Sequence, residues 1–241
     1  LGLFDEFFTY DECLEARFNG YQSGGRIVNF KENNILLTIG DFQNFTPAQN
    51  PTSFFGKIIS INKETKEYKL VSMGHRNQQG LFYDDVSDVI ISTEHGQKGG
   101  DEVNLIIQDE NKINNYGWPI SSYSDYYGYE TKEIKKIATF KKSHEKYGFI
   151  EPVIYFTPAI GISQIIKNSS FDNTDYSYLI TSMAKQKILF VDFSENFDSL
   201  SIKKELIIGE RIRDIIKFEN NNYLLFLEDS PAIGILYEKK N

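Results

Sequence analysis

Between Gly74 and Pro119 the chain sets charged and polar side chains at the ends of short apolar runs. His75, Arg76 and Asn77 stand just ahead of Gly80-Leu81-Phe82, and the run Val89-Ile90-Ile91 leads into Thr93-Glu94-His95-Gly96. A turn at 97–100 then gives way to Asp101-Glu102 and the apolar residues of Val103-Asn104-Leu105-Ile106. Each run has strand length and is closed by turn residues, so the polar groups fall where strands finish and loops begin. A fixed guanidinium there suits a developing oxyanion, and a neutral imidazole suits proton transfer near neutral pH. Further on, Arg211 and Arg213 stand at alternate positions, a spacing that on a strand points both to one face. Plainer readings stay open beside these: an Arg76 that ties down its own loop, an arginine pair in surface salt bridges with Glu210 or Asp214, and histidines that bond their own turns.

The motifs GHRNQQGL, TEHGQKGGDEVNLI and NNYGWP, in this order and with similar gaps, resemble the soluble glucose/sorbosone dehydrogenase family. Its sugar dehydrogenases carry pyrroloquinoline quinone and fold as six-bladed β-propellers. SMAKQKILFVDF and GERIRDI carry the likeness toward the C-terminus. The resemblance implies oxidation of the C1 hydroxyl of an aldose by hydride transfer to a calcium-bound quinone, in a periplasmic or extracellular protein. It places Arg76 and Asn77 on the cofactor and the substrate oxygen, and Lys185, Arg211 and Arg213 on the carboxylates of the quinone. It puts one calcium on the main-chain carbonyls of Gly96 and Gln97, with Gln97 where a proline is usual. It puts a second, structural calcium on Glu102 and the Tyr116 carbonyl, although Glu102 reads equally well as a turn-stabilising carboxylate.

The likeness breaks at the catalytic base. Family members carry a histidine shortly before the Gly-Arg that opens the first hairpin, held by an aspartate at the end of the next strand. This chain keeps Ser23-Gly24-Gly25-Arg26 and Asp41, but Tyr21-Gln22 stands where the histidine belongs, and Tyr21 is taken as its position. A tyrosine, with an ordinary pKa of about 10, needs a very large shift to accept an alcohol proton, and an amide cannot accept one at all. His75 and His95 lie in neighbouring loops as substitutes. Two functional classes follow. One is a quinone-dependent sugar dehydrogenase-like enzyme that uses Arg76, Asp41 and the residue at position 21. The other is a non-catalytic propeller that binds a sugar or a protein partner through the same funnel.

The elements that must position these residues are strands almost throughout. Aromatic residues make up 15% of the 241, and Ile, Phe and Tyr fill runs of strand length. Hairpin-forming runs at 27–30, 35–39, 56–61 and 68–71 give one four-stranded sheet. The 74–104 block gives a second, with Trp118 closing it, and runs from 160 to 208 and from 212 to 237 give a third and a fourth. The tyrosine-rich and charged stretch 121–155 reads as a loop excursion from a single all-β propeller domain spanning 1–241. Repetition at blade length is the pattern of a propeller, here with about four blades of the six. Leu1 to Asn19 looks like the tail of an earlier unit, so the reading is of a chain lacking about two N-terminal blades, with those blades or a homo-oligomer covering the exposed sheet face. A formal charge of -8 argues against nucleic-acid binding, and no apolar run is long enough for a membrane span. With three histidines and one cysteine, a Cys/His zinc cage and an internal disulfide are both out of reach. The partner left by elimination and resemblance is a small-molecule sugar.

Overall fold

A computed structural model describes residues 5–13, 20–168, 177–219 and 222–237. Short apolar runs separated by polar turns pair with their neighbours as meanders. The first sheet joins β1 (Gly24–Phe30), β2 (Asn34–Ile39), β3 (Lys57–Asn62) and β4 (Tyr68–Met73), each antiparallel to the next. The second joins β5 (Gln78–Asp84), β6 (Val89–Glu94) and β7 (Asp101–Ile106). After β7 the two-residue β8 (Asn114–Asn115) lies parallel to β4 on the first sheet, and β9 (Ile154–Phe156) returns as the fourth strand of the second. The fourth place is therefore taken by a strand beyond the excursion and not by Trp118, whose ring packs with Ala48, Ala138 and Phe140. The third sheet is β10 (Ile162–Lys167), β11 (Tyr178–Ser182), β12 (Lys187–Phe193) and β13 (Leu200–Ile207). The fourth is β14 (Ile212–Lys217), β15 (Tyr223–Leu227) and β16 (Ala232–Leu236).

Period-two alternation explains how these sheets stack. Ile90 faces the first sheet, packing with Leu36 and Ile58, while its neighbour Ile91 faces the third and meets Ile162, Ile165 and Ile180. On β11, Ile180 joins that cluster and Leu179 turns the other way, onto Ile212, Ile215 and Leu225 of the fourth sheet. Each fully buried isoleucine contributes roughly 2 kcal/mol of hydrophobic stabilisation, so the sheets adhere face to face. The first strands β1, β5, β10 and β14 touch in succession and line a common axis. The result is four blades of a β-propeller, and among the described residues no strand pairing joins the fourth sheet to the first.

Helix is scarce. Within the excursion lies α2 (Lys132–Ile137), a short helix where only weak helical spacing is legible, capped by Thr131 through the Ile134 amide. Outside it, α1 (Phe45–Ala48) is a single turn on the loop between β2 and β3. Lys57 fixes that turn: its buried ammonium donates to the carbonyls of Pro47, Ala48 and Phe55 at 2.9, 3.1 and 2.6 Å, and burial pushes it down to about 8. The strand remnant expected within residues 1–19 falls partly outside the described residues. Residues 5–13 carry no strand, but Phe8 and Tyr10 stack on Phe54 at 5.8 and 3.8 Å and so cover part of the outer face of the first sheet.

Candidate active site

The ends of the inner strands enclose a cavity of about 700 Å³. Arg76, Arg211 and Arg213 all line it, so three cations that lie far apart in sequence meet at one site. Asn77 lines it too, and its Oδ1 accepts from Gln79 Nε2 (2.9 Å) and from the Gly24 amide (3.3 Å). Lys185 is exposed, next to Met183 and Ala184 of the cavity wall.

The three arginines are held differently. Arg76 is only 5% exposed; its Nη1 donates to the carbonyls of His95 (3.1 Å) and Gly96 (2.6 Å), its plane lies 5.4 Å from the Trp118 ring, and its Nε is buried with no partner. Arg211 and Arg213 share one carboxylate, Glu228, through contacts of Arg211 Nε at 2.9 Å and Arg213 Nε at 2.7 Å, and the pair holds that carboxyl below its usual range although burial opposes them. The ion-pair partner is thus Glu228 and not Glu210 or Asp214. Asp214 instead takes Arg26 of β1, which reaches across the axis and also donates to the main-chain carbonyls of Gln79 and Arg213. Sequence spacing pointed to neither Glu228 nor Arg26 in these roles, because strand pairing places the first and axial crossing the second.

Gln22 and Asp41 complete the site. Gly40 has no Cβ, and one built there would lie 1.8 Å from the Gln22 carbonyl, so the chain end before β1 can lie flat on the end of β2. The Gln22 side chain then sits between Asp41 and Arg76. With its amide oriented to satisfy both, the nitrogen donates to Asp41 Oδ1 at 2.7 Å and the oxygen accepts from Arg76 Nη2 at 2.8 Å. Asp41 is fully buried and also accepts from the Gln43 amide (2.9 Å) and Trp118 Nε1 (2.7 Å). Tyr21 lines the cavity but is 68% exposed, so the place held by Asp41 belongs to Gln22 and not to Tyr21 as counting along the chain suggests.

The two histidines part company. His75 is buried away from the cavity with both ring nitrogens engaged, Nε2 with Ser72 Oγ at 2.8 Å and Nδ1 with Glu94 Oε2 at 2.9 Å. His95 lines the cavity and its Nε2 donates to the Ile162 carbonyl, which leaves Nδ1 as the acceptor nitrogen; burial holds the ring below its usual pKa and hence neutral.

Comparison with known proteins agrees with this geometry. Residues 14–237 match the Glucose / Sorbosone dehydrogenase family. The chain belongs to that family. It is similar to the aldose sugar dehydrogenase YliI of Escherichia coli, with 25% identity over 96% of this chain and 63% of YliI. The crystal structure of the soluble aldose sugar dehydrogenase from Escherichia coli in the apo-form aligns at TM-score 0.72 and 22% identity, over 88% of this chain and 62% of that one. The PQQ-bound form of aldose sugar dehydrogenase from Streptomyces coelicolor aligns at TM-score 0.63 and 20% identity, over 89% of this chain and 60% of that one. The chain therefore spans under two thirds of the length of these relatives.

The groups implied by this glucose/sorbosone dehydrogenase can now be tested against its side chains. A quinone with three carboxylates fits: the cavity has room, and its guanidiniums offer paired donors to carboxylates. Calcium fits poorly. The Gly96 carbonyl already accepts from the Arg76 guanidinium, the Gln97 carbonyl accepts from Tyr127 Oη at 2.5 Å, and the Tyr116 carbonyl accepts from His144 Nδ1 at 2.8 Å. Among the described residues no cluster of three His, Cys, Asp or Glu side chains is arranged to hold a metal. None of those residues forms a membrane-spanning helix either.

Burial pushes the Asp41 carboxyl up to about 7, against the Arg76 guanidinium and the donors from Gln43 and Trp118. A carboxyl whose pKa rises on folding binds its proton more tightly folded than unfolded. Its contribution to stability is complete below the unfolded value near 4 and is lost as the pH climbs toward 7. Relative to Asp41→Asn, the parent is expected to lose stability of the order of 2–4 kcal/mol between pH 4 and pH 8, read from urea melts of both proteins. A difference that stays flat with pH would mean that the donors keep Asp41 ionised throughout.

Proposed function

We propose that the chain forms the quinone- and sugar-binding face of a pyrroloquinoline quinone-dependent aldose dehydrogenase-type propeller in which an amide has replaced the catalytic base. The observation that supports this reading is the meeting of Arg76, Arg211 and Arg213 on one cavity at the strand ends. A bound quinone would supply the hydride acceptor. The chain's own contribution is charge and position. Arg76, desolvated against Trp118, would hold an anionic oxygen at short range, where a guanidinium acts more strongly than in water. Arg211 and Arg213 would take further carboxylates from the side opposite Gln22, their forks steadied by Glu228 and Gln79. Gln22 can orient a sugar hydroxyl but cannot remove its proton, so the reading favours binding over turnover.

Titrating the protein with the free quinone, without metal, and following quenching of the single tryptophan, Trp118, tests the proposal directly. A saturable one-to-one signal that weakens with salt is expected, since the recognition is between guanidiniums and carboxylates. A folded protein that shows no saturable signal would sink it.

A further inference from the structure

The excursion between β8 and β9 must be fastened where it leaves and re-enters the second blade, and the fastening is a histidine. The His144 ring is buried beside Glu102 of β7 and the main chain of Tyr116. Its Nδ1 donates to the Tyr116 carbonyl at 2.8 Å, and its Nε2 faces Glu102 Oε1 at 3.4 Å. Tyr123 stacks on the ring with centroids 5.3 Å apart. Gly117, at φ +93, leaves the space it needs, because a Cβ there would lie 3.0 Å from His144 Nδ1. Glu151 fixes the backbone of the same loop, accepting from the amides of His144 (2.8 Å) and Glu145 (3.0 Å) and from Tyr123 Oη (2.9 Å).

Glu102 and the Tyr116 carbonyl are the two oxygens that the family resemblance assigns to a structural calcium. Here the line between them is filled by an imidazole. The void that these residues border holds only about 10 Å³, room for at most one water. Calcium needs six to eight oxygens at about 2.3–2.6 Å, which that space does not provide. We propose that the His144 side chain takes the place of the structural ion, so that the junction between the second blade and its excursion is fastened without metal. The inference concerns the loop and not the cavity, and it holds whether or not the cavity takes a quinone.

Thermal melts in EDTA and in millimolar calcium, without quinone, test it on the parent, Glu102→Gln, His144→Ser and the double variant. The readout is the part of any calcium-induced shift that Glu102→Gln removes. In the parent that part is expected to be nil. His144→Ser is expected to melt about 5 °C lower in EDTA, to regain part of the loss in calcium, and to regain nothing once Glu102→Gln is added. The proposal is overturned if calcium raises the parent's Tm in a way that Glu102→Gln abolishes, or if a folded His144→Ser gains nothing from calcium. Should His144→Ser fail to fold, the parent and Glu102→Gln alone still decide the matter through the first of these outcomes.

Discussion

Replacing Gln22 with histidine is expected to raise the rate of aldose oxidation by about two to four orders of magnitude when quinone and calcium are supplied, the range that a well-placed general base contributes. The geometry for such a base is already present. Asp41 accepts from the Gln22 amide at 2.7 Å, and an imidazole at the same place would donate one nitrogen to Asp41 and keep the other for the substrate proton. Arg76, whose Nη2 lies 2.8 Å from the amide oxygen, would keep that imidazole neutral by charge repulsion. Tyr21→His serves as the control: its position is open to solvent and is not the one that meets Asp41, so no gain is expected there. Both changes belong in this chain and in the longest version of the gene, because a funnel open to water weakens the field of the remaining cations. Aldose oxidation by the parent at the rate of Gln22→His would defeat the argument. It would point to His95, whose Nδ1 remains an acceptor, and not to His75, whose nitrogens are both bound.

The blades were legible in the sequence because each is a local meander. Runs such as Ile35-Leu36-Leu37 and Leu189-Phe190-Val191 announce strands, and their turns announce pairing with the next run. The fourth strand of the second blade was not legible, since Ile154–Phe156 pairs with β7 across some fifty residues of excursion that carry no local signal for it. The cationic cluster was legible for a different reason: motif positions fix Arg76, Arg211 and Arg213 to strand ends, and strand ends in a propeller face one funnel. Its counter-charge was not, as Glu228 comes to the arginines only through the β14–β15 pairing. The choice between Tyr21 and Gln22 turned on a bulge. Gly24 and Gly25 both have positive φ, at +65 and +96, and the pairing of β1 with β2 shifts register between Gly24 and Ile27, so residue counting across it does not measure distance. The metal ligands failed for want of information of another kind, because a carbonyl has no identity in the sequence and its donors Tyr127 and His144 come from the excursion.

Arg76→Ala is expected to weaken quinone binding by about a hundredfold, the largest loss among the cavity cations. A charge-assisted, forked contact removed from a dry site costs about 1.5–3 kcal/mol, and Arg76 is the arginine whose surroundings make that upper figure apply. It is 5% exposed, it stands over Trp118, and no carboxylate is paired with its guanidinium among the contacts described for it. Arg211 and Arg213 have side chains 40% and 43% exposed and already divide Glu228 between them, so solvent and counter-charge both reduce what either gives to an anion. For Arg211→Ala a loss of about tenfold or less follows. Arg76→Lys separates charge from shape. An ammonium keeps the charge but cannot bond Gly96 and His95 while presenting a second edge, so it is expected to recover less than half of the lost binding energy. Because Arg76 also ties down the 95–96 carbonyls, near-UV dichroism of Trp118 must accompany the titrations to separate lost binding from a loosened loop. A well-folded Arg76→Ala that binds as tightly as the parent would remove the anion from this cavity. An Arg211→Ala loss larger than that of Arg76→Ala would move the anion toward the fourth blade and make exposure a poor guide to which cation matters.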